Sequence, residues 1–172
     1  MIMKGMVILR LLVLSDSHSG LSFMRRAVSC TKPDAIVHLG DYVADAQCLR
    51  EEHPGISFYQ VAGNCDRYHS MHLAPEILTV KLGGVIFYLT HGHLHGVKMY
   101  TDSLERAARD SGAQIVLYGH THRPDCRLER GLYILNPGTC CSSNGSVGLV
   151  EIRDGKITDC RVLGQPELEA LA

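Results

Sequence analysis

The sequence predicts an α/β sheet protein, and three observations carry that expectation. Short apolar runs rich in Val, Ile, Leu and Tyr recur along the chain, and segments with helical spacing separate several of them. From Ile77 onward, residues alternate on both sides of a Gly83-Gly84 pair, the signal of an antiparallel hairpin. The 172 residues are about the size of one ordinary domain, and 45% hydrophobic content suffices for a continuous core. Residues 1–172 are therefore expected to form a single domain, with no repeat, linker or low-complexity tract to mark a boundary.

The first apolar run, Leu9 to Leu14, reads as a buried strand. Lys4 ahead of it imitates a signal peptide, but Arg10 interrupts the run, no small-residue cleavage site follows and polar residues begin at Ser15. Leu21, Met24 and Val28 mark one face of a helix. Ala35 to Leu39 reads as the second strand, Asp45 to Glu52 as a helix closed by His53 and Pro54, and Ile56 to Ala62 as the third strand. After the hairpin ILTVKLGGVIFYLTHG comes a helix over Asp102 to Ser111, with Leu104, Ala107 and Ala108 inward, and a strand over Gln114 to Tyr118. The remainder is strand again: Cys126 to Leu128 and Leu132 to Leu135 around Glu129 to Gly131, then Val147 to Ile152 and Lys156 to Leu163 around Asp154-Gly155. Gln165 to Ala172 reads as a short terminal helix or a frayed end.

A net charge of −1 offers no footprint for a nucleic-acid backbone or an anionic membrane. Beyond the first run, nothing approaches the ~20 apolar residues of a membrane-spanning helix. Seven cysteines, odd in number and without a C-x-x-C pair, fit free thiols in a reducing cytoplasm better than a zinc knuckle or a disulfide framework. For the adjacent Cys140 and Cys141, two free thiols are favoured over a strained vicinal disulfide.

The polar residues are informative by position. In open α/β sheets, ligands bind beyond the carboxyl ends of the strands. Here the first strand runs out into Ser15-Asp16-Ser17-His18, the second into Gly40-Asp41 and the third into Gly63-Asn64-Cys65-Asp66. The hairpin ends at His91-Gly92-His93, and the strand after the third helix ends at Gly119-His120-Thr121-His122. A lone histidine or aspartate at a strand end is usually a turn residue or a cap. Two Asp, one Asn and four His from five strand ends form a different kind of signal, with neighbouring glycines that let the backbone approach closely. A tetrahedral zinc takes about four ligands, so seven argue for two metals. The mixture of carboxylate, imidazole and amide suits Mn, Fe, Ni or Zn better than Ca or Mg. Asp41, which comes alone from a central-looking strand, is the choice for a carboxylate that bridges both ions. His38, inside a strand, reads as a hydrogen-bonded core histidine, and His53, His69, His72 and His95 as surface residues.

The set D-x-H, G-D, G-N-C-D, H-G-H and G-H-T-H resembles that of the calcineurin-like metallophosphoesterases, in particular their small bacterial and archaeal phosphodiesterase branch, from about Leu11 to Leu163. The resemblance implies an αββα sandwich of two mixed sheets flanked by helices. It implies that Asp16, His18 and His122 hold a first metal, that Asn64, His91 and His120 hold a second, and that Asp41 bridges them. It further implies a phosphodiesterase in which a hydroxide shared by the two metals, manganese first among the candidates, attacks phosphorus in line. Asn64 would then steady the phosphoryl oxygens.

Many members of the wider superfamily carry a histidine after the asparagine, where this chain has Cys65. A thiol is a poorer proton donor to a leaving group than an imidazole. That role is expected to pass to His93, to His69 or to water, with Asp66 orienting a neighbouring group. A small phosphodiester is the expected substrate, and self-association is left open. Two other readings are weighed. A phosphomonoesterase or protein phosphatase is disfavoured by Cys65 and by the lack of insertions that could build a peptide groove. A non-catalytic scaffold subunit of the same fold is expected to have lost ligands that this chain keeps.

Overall fold

The computed structural model describes residues 8–68, 74–141 and 144–172. Two five-stranded sheets pack face to face with helices outside them. The first sheet has the order β10-β9-β1-β2-β3 and the second β4-β5-β6-β8-β7. In chain order the elements are β1 (Ile8–Leu14), α1 (Leu21–Thr31), β2 (Ala35–His38), α2 (Val43–Glu52), β3 (Ser57–Gln60), β4 (Ile77–Leu82) and β5 (Val85–Thr90). They continue with α3 (Asp102–Asp110), β6 (Ile115–Leu117), β7 (Asp125–Glu129), β8 (Leu132–Asn136), β9 (Ser146–Arg153), β10 (Lys156–Gly164) and α4 (Gln165–Glu169).

The run Leu11-Leu12-Val13-Leu14 explains why β1 lies inside the first sheet. Successive side chains of a strand point to opposite faces, so a continuous apolar run needs cover on both. Leu11 and Val13 pack between the sheets with Val37, Phe87, Leu89 and Leu117. Leu12 and Leu14 face the other way, against Met24 and Val28 of α1, Leu49 of α2 and Leu168 of α4. On the far side of the second sheet, Tyr88, Val116 and Ile134 receive Leu104 and Ala108 of α3. Four layers result: helices, sheet, sheet, helix.

Both sheets are mixed. β1, β2 and β3 run parallel, β9 pairs antiparallel with β1, and β10 pairs antiparallel with β9. In the second sheet β5, β6 and β8 run parallel, and β4 and β7 pair antiparallel at its two edges. Gly83 and Gly84 both have positive φ, as do Arg130-Gly131 and Asp154-Gly155, so three hairpins close on the left-handed two-residue turns that the twist of paired strands favours.

The elements follow the expected order, with corrected ends. The third strand shrinks to Ser57–Gln60 and the sixth to Ile115–Leu117, because their last residues turn into the loops beyond the sheets. The second helix begins at Val43, ahead of the expected Asp45. Its first amides bond to Asp66, a partner distant in sequence, rather than to a local capping side chain. The chain end from Gln165 to Glu169 is helical, with Leu168 seated in the core.

Candidate metal centre

The parallel strands β1, β2, β3, β5 and β6 all end at one rim of the sandwich, so their following loops meet. Gly63 and Gly119 allow the closeness. A Cβ on Gly63 would stand 2.2 Å from Asp41 Oδ1, and one on Gly119 would stand 2.0 Å from Ser15 Oγ and 2.7 Å from Asp16 Oδ2. Of the seven residues expected to bind metal, Asp16, His18, Asp41, His120 and His122 all adopt positive φ, between 40° and 67°. L side chains rarely adopt this conformation, and its concentration at one rim marks strain held for a purpose.

Asp16, His18, Asp41 and His122 each offer a ligand atom, and the four atoms lie within 4.8 Å of one another. Ligands held ~2.0–2.2 Å from a shared ion lie roughly 3 to 4 Å apart, so the spacing suits a cation. The His18 and His122 rings stand 5.3 Å apart. A second group of imidazoles lies on the other side of the two carboxylates, with His91 5.0 Å from His120 and 5.5 Å from His93 between ring centres.

Asp41 faces both groups. Its Oδ2 is 3.7 Å from His18 Nε2 and its Oδ1 is 3.5 Å from His91 Nε2. Asp16 Oδ1 lies 3.1 Å from His122 Nε2 and 3.9 Å from His91 Nε2. Both carboxylates are buried, and among the described residues no lysine or arginine pairs with either. Buried carboxylates without a cationic partner are costly unless a metal or proton offsets them.

The orphaned atoms point the same way. Asp16 Oδ1, Asn64 Oδ1 and His91 Nε2 are buried and, among the described residues, accept or donate no hydrogen bond. His91 Nδ1 donates to the Leu39 carbonyl at 2.7 Å, which fixes the ring and turns Nε2 toward the two carboxylates. Burial works to lower the His91 pKa, but Asp41 and Asp16 beside it outweigh that and raise it. Burial likewise opposes ionisation of Asp41, and His91 together with the Cys65 amide holds its carboxyl well below the usual range. For His120, burial and then the nearby His91 lower the pKa to about 4, which keeps the ring neutral as a metal ligand must be. This donor set fits divalent cations.

Neighbouring groups hold the donors in place. Asp16 Oδ2 accepts from Ser15 Oγ at 2.5 Å and from the His120 amide at 3.0 Å, tying the first loop to the last. Asp41 Oδ1 accepts from the Cys65 amide at 2.9 Å. Asn136 Nδ2 donates to the Gly119 carbonyl and to Thr121 Oγ1, both at 3.0 Å. The Asp66 carboxylate accepts from four backbone amides: Asp41, Tyr42, Val43 and Gly63, at 2.7–2.9 Å. The neighbouring group that Asp66 was expected to orient is thus the backbone around Asp41. Tyr42 escaped the sequence reading; it has φ 76° and sets its ring 5.1 Å from that of His18.

The remaining candidates are also located. His93 stands beside His91 and His120, with Nε2 3.6 Å from Glu76 Oε1. Asn64 Nδ2 donates to Cys65 Sγ at 3.5 Å. Burial and then the Asp41 carboxylate push the Cys65 thiol up to about 11, so it remains protonated near neutral pH and parts with that proton reluctantly. His38 is the core histidine expected: Nδ1 accepts from the Gly40 amide and Nε2 contacts Ser17 Oγ at 3.2 Å, while burial lowers its pKa to about 4. His95 Nε2 meets the Tyr88 hydroxyl at 3.2 Å rather than open solvent. Cys140 and Cys141 are both free thiols. His69 and His72 lie outside the described residues.

Comparison with known proteins gives a consistent picture. The family model for the calcineurin-like phosphoesterase superfamily domain matches residues 9–155. The chain is 31% identical over 135 residues to the probable metallophosphoesterase YsnB of Bacillus subtilis, covering 76% of this chain and 75% of the relative. It is 24% identical over 156 residues to the phosphodiesterase MJ0936 of Methanocaldococcus jannaschii, covering 83% of this chain and 90% of the relative. Among solved structures, a Streptococcus pneumoniae protein described as a predicted phosphoesterase aligns with TM-score 0.73 and 28% identity, over 95% of this chain and 93% of its own. Vacuolar Protein Sorting 29 of Cryptosporidium parvum shares the fold, with TM-score 0.69 and 21% identity over 91% of this chain and 97% of its own.

Proposed function

Because the chain belongs to the calcineurin-like phosphoesterase superfamily, we propose that it is a metal-dependent phosphodiesterase that works with two divalent ions. The observation that carries this reading is the orientation of Asp41, whose two carboxylate oxygens face different imidazole groups, His18 on one side and His91 on the other. In this reading Asp16, His18 and His122 complete one site, Asn64, His91 and His120 complete the other, and Asp41 joins them. Manganese is the proposed ion, one of the borderline divalent metals that the mixed donor set suits.

Two divalent ions held by these residues would lower the pKa of water and neutralise charge on a phosphoryl group. The chain supplies placement. His91, fixed by the Leu39 carbonyl, and Asp16, fixed by Ser15 and the His120 amide, hold their donor atoms without reorganising. The Asn64 amide is proposed to orient a phosphoryl oxygen, and His93, beside the second group, to deliver a proton to the leaving alkoxide. Cys65 is a poor candidate for that step, because a thiol is a poorer proton donor to a leaving alkoxide than an imidazole. A diester with a good leaving group needs that proton least, and the relative MJ0936 is named as a phosphodiesterase. The proposed substrate is accordingly a small phosphodiester. Seven free thiols among 172 residues favour the cytoplasm as the compartment, and we take residues 1–172 as one domain.

The test is direct. Metal-stripped protein is incubated with Mn, Ni, Zn or Mg and offered an aryl phosphodiester and the matching monoester. Metal-stimulated turnover with diester preferred is the expected result. Monoester preference would remove the diester assignment. The likeness to Vacuolar Protein Sorting 29 keeps a scaffold role in view as a second reading; absence of turnover with every metal would favour it.

A further inference from the structure

Away from the metal centre, the Cys126 and Cys160 sulfurs stand 3.5 Å apart. Cys126 lies on β7 and Cys160 on β10, so the pair joins the outermost strand of one sheet to the outermost strand of the other. Cys126 is exposed and donates its thiol hydrogen to the Cys160 carbonyl at 3.1 Å. Cys160 is half-buried and packs against the core between the sheets. We infer that Cys126 and Cys160 form a redox-active dithiol, a modification site at which a low-molecular-weight disulfide installs a covalent staple between the two sheets.

Geometry makes the bond accessible. A disulfide requires the sulfurs to close to about 2.05 Å, a short travel from contact distance for side chains on two edge strands, each with only one ladder to restrain it. Reactivity is divided between the partners. The neighbouring Cys160 lowers the Cys126 pKa, whereas Cys126 and then burial raise that of Cys160, with Asp159 also acting on both. Cys126 is thus the accessible attacking thiol and Cys160 the resolving one.

The step balances with a disulfide of the glutathione type as oxidant. The Cys126 thiolate attacks one of its sulfurs, forming a mixed disulfide and expelling one thiolate. Cys160 then loses its proton and attacks the Cys126 sulfur, forming the Cys126–Cys160 bond and expelling the second thiolate. Two protein thiols are oxidised, one small disulfide is reduced, and the two protons end on the two released thiols.

The seam that this bond would close leads to the rim. Pro124, next but one before Cys126, and Val162, next but one after Cys160, line a cavity of about 430 Å³ that also includes His122 and Gln165. Oxidation therefore ties together two walls of a cavity bordering a candidate metal ligand.

The test uses the full chain with all its cysteines. Reduced protein is treated with excess oxidised glutathione and desalted, its free thiols are titrated in denaturant, and its peptides are mapped without reduction. The expected result is loss of two of the seven thiols, with the peptide holding Cys126 joined to the one holding Cys160. The melting midpoint should rise by roughly 5–10 °C and fall again with reductant, because the link shortens the unfolded chain across 34 positions. Cys160→Ser should arrest Cys126 at the mixed disulfide, while Cys48→Ser should behave as the parent. Seven thiols retained by the parent, a link between any other pair, or a parent Cys126 that stops at the mixed disulfide would overturn the inference. Peptide mapping of the parent chain decides the matter even if a variant folds poorly.

Discussion

At the scale of single residues, the rim is built around Asp41. Four amides held by Asp66 set the backbone at Asp41 and its neighbours, so the carboxylate is aimed before any ion arrives. Its low pKa keeps it charged, and its two oxygens divide between His18 and His91. Asp41→Asn keeps the shape, removes the charge and replaces one acceptor with a donor. Turnover is expected to fall by more than about a hundredfold, a loss on the scale of removing one preorganised polar group from an active site, and metal content measured on the purified protein should drop for both ions. Two tightly held metals in the Asn variant would refute the bridging role. His38, by contrast, has every ring nitrogen engaged within the core and contributes order rather than chemistry.

At the scale of elements, what matters is how the strands stop. The β1 and β6 ends touch because Gly119 has no side chain where Ser15 Oγ and the Asp16 carboxylate stand. Gly119→Ala would place a Cβ 2.0 Å from Ser15 Oγ, so the loop carrying His120 and His122 must move. A loss of about 2 kcal/mol in stability is expected by denaturant titration, within the 1–3 kcal/mol typical of forced overpacking, together with a fall in metal affinity. Gly55→Ala is the matched control, because among the described residues nothing lies within 4 Å of its Cβ and its φ is not positive. It should be neutral or gain a few tenths of a kcal/mol. Equal losses in both variants would show that the close approach at Gly119 is not what holds the rim.

At the scale of the whole molecule, two sheets and three apolar layers deliver five loops to one place and leave buried carboxylates facing imidazoles there. Ions that bind this rim stabilise the folded chain alone, by about 2.7 kcal/mol at a hundred times the dissociation constant. Chelation should therefore lower the melting midpoint by at least roughly 5 °C in a protein of this size, and adding back manganese should restore it. A midpoint indifferent to chelator and to every divalent ion would mean that the rim holds no metal in solution.

Much of this was legible in the sequence because it is local. Alternation, apolar runs and Gly-containing turns depend on neighbours within a few positions, and the order of strands and helices follows from them. The candidate ligands were legible for the same reason, since each sits just beyond an apolar run and five such placements together are hard to produce by chance. The start of α2, the four amides on Asp66, the ring of Tyr42 against His18 and the contact of Cys126 with Cys160 were not legible in this way. Each joins residues far apart in sequence, so no local pattern encodes it. The sequence by itself determined which segments are strands and which side chains stand at their ends; only the tertiary structure decided which of those ends face one another, because burying apolar faces between two sheets sets distances that no stretch of chain specifies alone.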